Sequence, residues 1–198
     1  MKKNIYLILP FFLIACGGDA EENVEESENE QIEILEEEEV VQNERKSPRT
    51  EYTSQADGLS LVIDYGSPSV KDRAIWGDLV DYDKVWRAGA DEVTAITFEN
   101  DVIVEGNAVL AGTYGFFIIP HTDTDWDIIL NEEWSKEEHD VWGAYDYKED
   151  KDVLRFTVAP ISMSESVENL NYSFENGKLI FQWEFIRLDI EITAAESA

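Results

Sequence analysis

One thiol and a small group of cations carry the chemistry open to this chain. Cys16 is the only cysteine among 198 residues, and it follows Leu13, Ile14 and Ala15 at the end of an apolar run. That order resembles a lipobox, in which a small residue occupies the cleaved bond and the next thiol accepts a diacylglyceryl group. The run begins at Ile5, after Lys2 and Lys3. At ~1.5 Å per residue it covers about half of a ~30 Å hydrocarbon core, which suits the h-region of a signal peptide better than a membrane span. Residues 1–15 therefore read as a lipoprotein signal peptide and Cys16 as the lipidated N-terminus. Two or three acyl chains anchor a protein firmly, at about 0.8 kcal/mol per buried methylene. An exported chain with a single cysteine forms no internal disulfide, so its fold must stand on its core.

The cations come next. From Ser47 onward there are 31 acidic and 11 basic residues, and Lys71, Arg73 and Arg87 fall close together. A guanidinium presents five donors in a fixed fork, matched to a carboxylate, sulfate or phosphate. Glu92 lies five residues beyond Arg87, past Gly89, so the two can face each other. One reading is an internal Arg87–Glu92 pair that pins the Trp86 loop, with Trp86 as a core anchor. The other is a ligand site lined by Arg73, Trp86, Arg87, Glu92 and Tyr114. Both are open at this level.

Other patterns carry less. Asp123, Asp125 and Asp127 mimic the start of a calcium loop, but Ile128 and Trp134 stand where an EF-hand needs Gly and Glu. His121 and His139 are the only histidines and have no zinc-site spacing. No metal or cofactor is expected. Six tryptophans suggest core packing for most of them, with Trp134 and Trp142 flanking a charged loop where they could be exposed.

The elements that must position these residues read as β. Alternating or apolar runs mark strands at 59–65, 93–98, 102–105, 113–119, 125–131, 153–159, 170–174, 179–184 and 187–193. Polar turns separate them, and Asn176-Gly177 is the best two-residue hairpin signal. The expected fold is all-β: an antiparallel sandwich or jelly-roll-like barrel of about eight or nine strands. One short helix or turn is expected near residues 82–86. Residues 120–125 read as a hairpin turn.

Charge sets the remaining organisation. The whole chain carries a formal −29. Between Gly17 and Lys46 there are 13 acids, 2 bases and no aromatic side chain. Such a segment cannot bury enough apolar surface to offset its ordering entropy, so residues 16–46 read as a lipidated Cys and a disordered acidic tether. Residues 47–198 form the domain. The acidity excludes nucleic acid, whose phosphates require clustered Lys and Arg.

Tyr65-Gly66-Ser67-Pro68-Ser69-Val70-Lys71-Asp72-Arg73, followed by Val85-Trp86-Arg87-Ala88-Gly89-Ala90-Asp91-Glu92-Val93-Thr94, resembles a family of bacterial domains of unknown function, DUF2911. The pattern continues in Ala111-Gly112-Thr113-Tyr114, in Asn131 and in Trp142-Gly143-Ala144-Tyr145, so the resemblance covers residues 59–191. It implies an exported domain, often a lipoprotein, with no established activity. The expected role is a lipid-anchored module of the cell envelope, on the outer membrane, that binds a glycan, a small ligand or a partner protein. The alternative is a carboxylate-dependent hydrolase of an envelope or extracellular polymer.

Overall fold

The computed structural model describes residues 45–56 and 58–195. Cys16, the expected signal peptide and the expected tether up to Glu44 lie outside the described residues. The domain is built from ten strands: β1 (Arg49–Ala56), β2 (Leu59–Gly66), β3 (Thr94–Phe98), β4 (Val102–Val104), β5 (Asn107–Val109), β6 (Gly112–Ile119), β7 (Trp126–Asn131), β8 (Asp152–Val158), β9 (Ile161–Glu175) and β10 (Lys178–Ala194). They form a six-stranded sheet ordered β1-β2-β3-β6-β7-β8 and a four-stranded sheet ordered β5-β4-β10-β9. All strand pairs are antiparallel. The architecture is sandwich-like, and no barrel closes.

The core follows from side-chain alternation. Leu59, Leu61, Ile63 and Tyr65 of β2 are buried, and they pack with Ile96, Phe98, Phe116 and Ile118 of the same sheet. Tyr172, Phe174, Phe181, Leu188 and Ile190 of the other sheet complete this cluster. A smaller cluster of Val93, Phe117, Ile119, Ile129 and Val141 lies on the other face of the six-stranded sheet.

β10 shows why one strand reads as two. Its residues in the main core are Leu179, Phe181 and Trp183, then Leu188, Ile190 and Ile192, so the parity changes midway. The pairing register with β9 shifts on either side of Glu184, which has φ 53°. A bulge inserts an unpaired residue and re-aims the side chains that follow, so the strand continues with its alternation reversed. At the far end Asn176 and Gly177 take φ of 53° and 74°, the double positive φ of a type I′ hairpin turn.

Other expectations need correction. β1 was hidden because its sequence RTEYTSQA is polar on both faces, as befits an edge strand with one buried residue, Ser54. β5 has three residues, too few for a periodic signal. At residues 82–86 the chain takes the turn and not the helix of the two forms expected there. Asp83 sits at φ 60°, and Trp86 exchanges backbone hydrogen bonds with Ile118, which removes the donors and acceptors a helical turn would use. The helix is instead α1 (Lys136–His139), capped by Ser135, whose Oγ accepts from the Glu138 N–H at 3.0 Å.

The long connection between β2 and β3, residues 67–93, positions the site. It contains no strand or helix, yet it is stapled at several points. Ser67 Oγ donates to the Leu170 carbonyl at 2.7 Å, and Val70 N–H donates to the Glu168 carbonyl at 2.8 Å. Asp83 N–H donates to the Pro120 carbonyl at 2.9 Å, and the Tyr172 hydroxyl donates to the Ala88 carbonyl at 2.7 Å. These bonds fix the connection against β9 and β6.

Candidate functional site

The Trp86–Asp91 turn crosses the end of β2 at very close range. A Cβ on Gly66 would lie 2.2 Å from the Ala90 carbonyl oxygen, so only glycine admits this crossing. Ala88, fully buried, and Asp91 take φ of 52° and 64°, a left-handed backbone that side chains resist. Strain of this kind persists where surrounding structure over-determines it. Here Tyr172 and Thr94 both donate to the Ala88 carbonyl, at 2.7 and 3.2 Å.

Under this turn lies a cavity of about 550 Å³, within the range of small-molecule sites. Leu79, Val80, Trp86 and Trp183 give it apolar walls, and Ser47, Ser69 and Asp91 add polar groups. Trp86 and Trp183 stack with centroids 5.7 Å apart at 16°. Trp76 packs edge-on against both, and Phe181 and Trp126 continue the cluster behind them. Trp183 is 1% exposed, and its indole N–H has no hydrogen-bond partner among the described residues.

Four cations line the same cavity: Lys46, Lys71, Arg73 and Arg87. None of them has a carboxylate within ion-pairing distance among the described residues. Elsewhere the domain pairs its bases closely. Arg45 meets Glu92 at 2.9 Å, Arg49 meets Asp64 at 2.7 Å, Lys148 meets Glu133 at 2.9 Å and Arg155 meets Asp127 at 2.6 Å. Lys84, Lys151, Lys178 and Arg187 are paired as well. The one other described base without a carboxylate is Lys136, whose ammonium stands over the Trp142 ring at 5.3 Å. In so acidic a domain, four cations around one cavity without a carboxylate partner among the described residues are a distinctive charge arrangement.

The two arginines differ. Arg73 Nε donates to the Val70 carbonyl at 3.0 Å and a terminal nitrogen donates to Ser69, so its fork braces the turn through Lys71 and Asp72. Arg87 donates no side-chain hydrogen bond within the described residues, and its Nε is buried without a partner. Gly143 packs over its stem, with an added Cβ only 3.1 Å from Cδ. The stem is held, and the charge is unmatched.

Of the residues singled out in the sequence, the structure brings Arg73, Trp86 and Arg87 together at this cavity and leaves two apart. Glu92 does not face Arg87. It pairs with Arg45 and lies 3.8 Å from Arg49, in a separate cavity of about 260 Å³ beside Asp64. The reason is local: the left-handed Asp91 reverses the chain, so Glu92 leaves on the opposite side. Tyr114 is also elsewhere. Its hydroxyl donates to the Leu110 carbonyl at 2.9 Å, closing the turn before β6, and its ring packs against Phe98. Burial, with Asp101 and Glu132 nearby, raises its pKa.

Sequence reasoning missed Lys46, Trp183 and Asp91. Lys46 sits at the end of an acidic stretch that reads as tether, and Trp183 sits in a strand where a core role is the natural inference. Among the described residues Asp91 is the one carboxylate that lines the cavity, so they assemble no carboxylate pair of a hydrolase there. Trp142, 41% exposed, and half-buried Trp134 flank α1 at the smaller cavity. Residues 120–125 form the expected hairpin turn between β6 and β7, and Asp127, paired with Ile119 at the start of β7, is held by Arg155.

No curated protein and no solved structure matches the chain. The family model described as protein of unknown function (DUF2911) matches residues 47–192, which include all ten strands but for the last two residues of β10, and every residue lining the 550 Å³ cavity except Lys46. The chain therefore belongs to the DUF2911 family.

Proposed function

We propose that this protein is a lipid-anchored lipoprotein of the cell envelope whose domain binds a small anionic ligand beneath the Trp86–Asp91 turn, with Arg87 as the principal cation. One observation carries the reading: every cation lining that cavity lacks a carboxylate partner among the described residues, while the described bases elsewhere, apart from Lys136, are matched. Leaving a buried donor unmatched costs about 1–3 kcal/mol, and a ligand carboxylate or phosphate would recover that cost on binding. The stacked Trp86 and Trp183 supply the apolar wall that favours a ligand with a ring or hydrocarbon body. The lipobox at Cys16 and the acidic tether support the anchoring.

Tryptophan fluorescence tests the binding half, because two of the six tryptophans line the cavity. The detergent-solubilised full chain would be titrated with benzoate, glucuronate and inorganic phosphate. At least one anion should shift the emission saturably, and Arg87→Met should weaken its binding tenfold or more. Absence of any saturable response, or an unchanged affinity in Arg87→Met, overturns the reading. Incorporation of a labelled fatty acid that disappears in Cys16→Ser tests the anchor.

A further inference from the structure

We infer that the anionic ligand is a chain of sugar acids, laid along a trough that crosses Arg87 and ends at Tyr145. This rests on the anion-binding reading above and adds the ligand's class and length. Beside the first cavity lies a second, of about 190 Å³, and the two share Leu79, Val80, Trp86 and Arg87 as walls. Arg87 therefore stands at the junction of two adjoining spaces. A single small anion would fill the first and leave the second unused. The second is lined further by the paired Asp81 and Lys84 and by Ala144 and Tyr145, and Tyr145 is 86% exposed. Leu79, at the junction, is 46% exposed. An apolar ring and an apolar side chain presented to water along a cationic trough match a ligand with apolar ring faces and a charge on each unit.

The backbone argues against an extended peptide as the occupant. A peptide bound as an added strand needs free backbone donors and acceptors along its path. Here several of those groups are already paired. Val70 N–H donates to Glu168, Leu170 N–H donates to Pro68, and Trp86 and Ile118 exchange both of their bonds. What the trough offers instead is side chains: hydroxyls of Ser47 and Ser69, aromatic faces, and cations from Lys71 and Arg73 up to Arg87 at the junction, whereas Lys84 beyond it is paired with Asp81. A uronic acid unit carries hydroxyl edges, C–H faces and one carboxylate, which matches that set.

The test uses the full chain in detergent, titrated with galacturonate and with its di-, tri- and tetramer by calorimetry. Affinity should rise at least tenfold from monomer to tetramer. Tyr145→Ala should collapse the tetramer-to-monomer ratio toward one, and full methyl esterification of the tetramer should abolish binding. Equal affinity for monomer and tetramer, lost together in Arg87→Met, would refute the chain while leaving the small-anion reading intact. Tighter binding of tetraglutamate than of the tetramer would refute the sugar class. Binding of benzoate or phosphate without any uronide would also overturn this inference alone. Failure of every anion would remove both readings.

Discussion

Arg87→Met separates a structural cation from one kept for a ligand, and the two roles differ in sign. If Arg87 held the fold through a buried ion pair, removing it would cost about 3–5 kcal/mol, because the partner carboxylate would be left unmatched. No such partner lies within the described residues, and Nε is buried without a hydrogen bond. The variant removes an unsatisfied donor worth about 1–3 kcal/mol and keeps an unbranched stem under Gly143, so packing is largely preserved. We expect stability unchanged or raised by about 1 kcal/mol, a shift of roughly 2–4 °C in Tm for a domain of this size. Arg49→Met calibrates the scale. Arg49 bonds the Asp64 carboxylate at 2.8 Å and the Val93 carbonyl at 3.1 Å, so its loss should cost about 3 kcal/mol, at the low end because Asp64 is half exposed. Urea denaturation at pH 7 measures both. A loss in Arg87→Met as large as that in Arg49→Met would refute the reasoning and make Arg87 a structural pin.

Three further outcomes follow from the same geometry. Tyr172→Phe deletes the buried bond to the Ala88 carbonyl, which Thr94 still serves, so stability should fall by about 1 kcal/mol in urea. Gly66→Ala sets a methyl against the Ala90 carbonyl and should cost about 3 kcal/mol or abolish soluble expression, read from Tm and yield. His121 has its pKa raised above 6.5, chiefly by its hydrogen bond to Asp83, with Asp127 also facing it. Its contribution is thus complete below pH 6.5 and is lost as pH rises through the raised value. The Tm of the wild type should fall between pH 6 and pH 8, and His121→Gln should flatten that slope.

Much of the architecture could be read from residue order, for identifiable reasons. Strands with one buried face, such as β2, announce themselves by alternation, and Asn176-Gly177 marks its own hairpin. β1 could not be read, because an edge strand with polar residues on both faces carries no periodic signal. The bulge at Glu184 broke a single strand into two apparent ones. For the site, local spacing brought out Arg73, Trp86 and Arg87 but misplaced Glu92. A five-residue separation says nothing of the left-handed Asp91 that turns the chain between them. Trp183 and Lys46 reach the cavity from opposite ends of the domain, a proximity set by sheet pairing and not by sequence distance.

The unmatched cations sit inside a molecule whose formal charge is −29, and this has a kinetic consequence. An approaching anion feels two fields of opposite sign and different range. In ~0.01 M salt the Debye length is about 30 Å, so the repulsion of the whole acidic surface reaches far into solution and slows encounter. In ~0.15 M salt it shrinks to about 8 Å, and only the cavity's own cations act on the ligand. Association should therefore quicken as salt is first added, the reverse of ordinary electrostatic steering, and slow again only when the local attraction is screened as well. Stopped-flow rates with a maximum at intermediate ionic strength would show a receptor tuned to discriminate by distance, admitting anions at its mouth while repelling them from everywhere else.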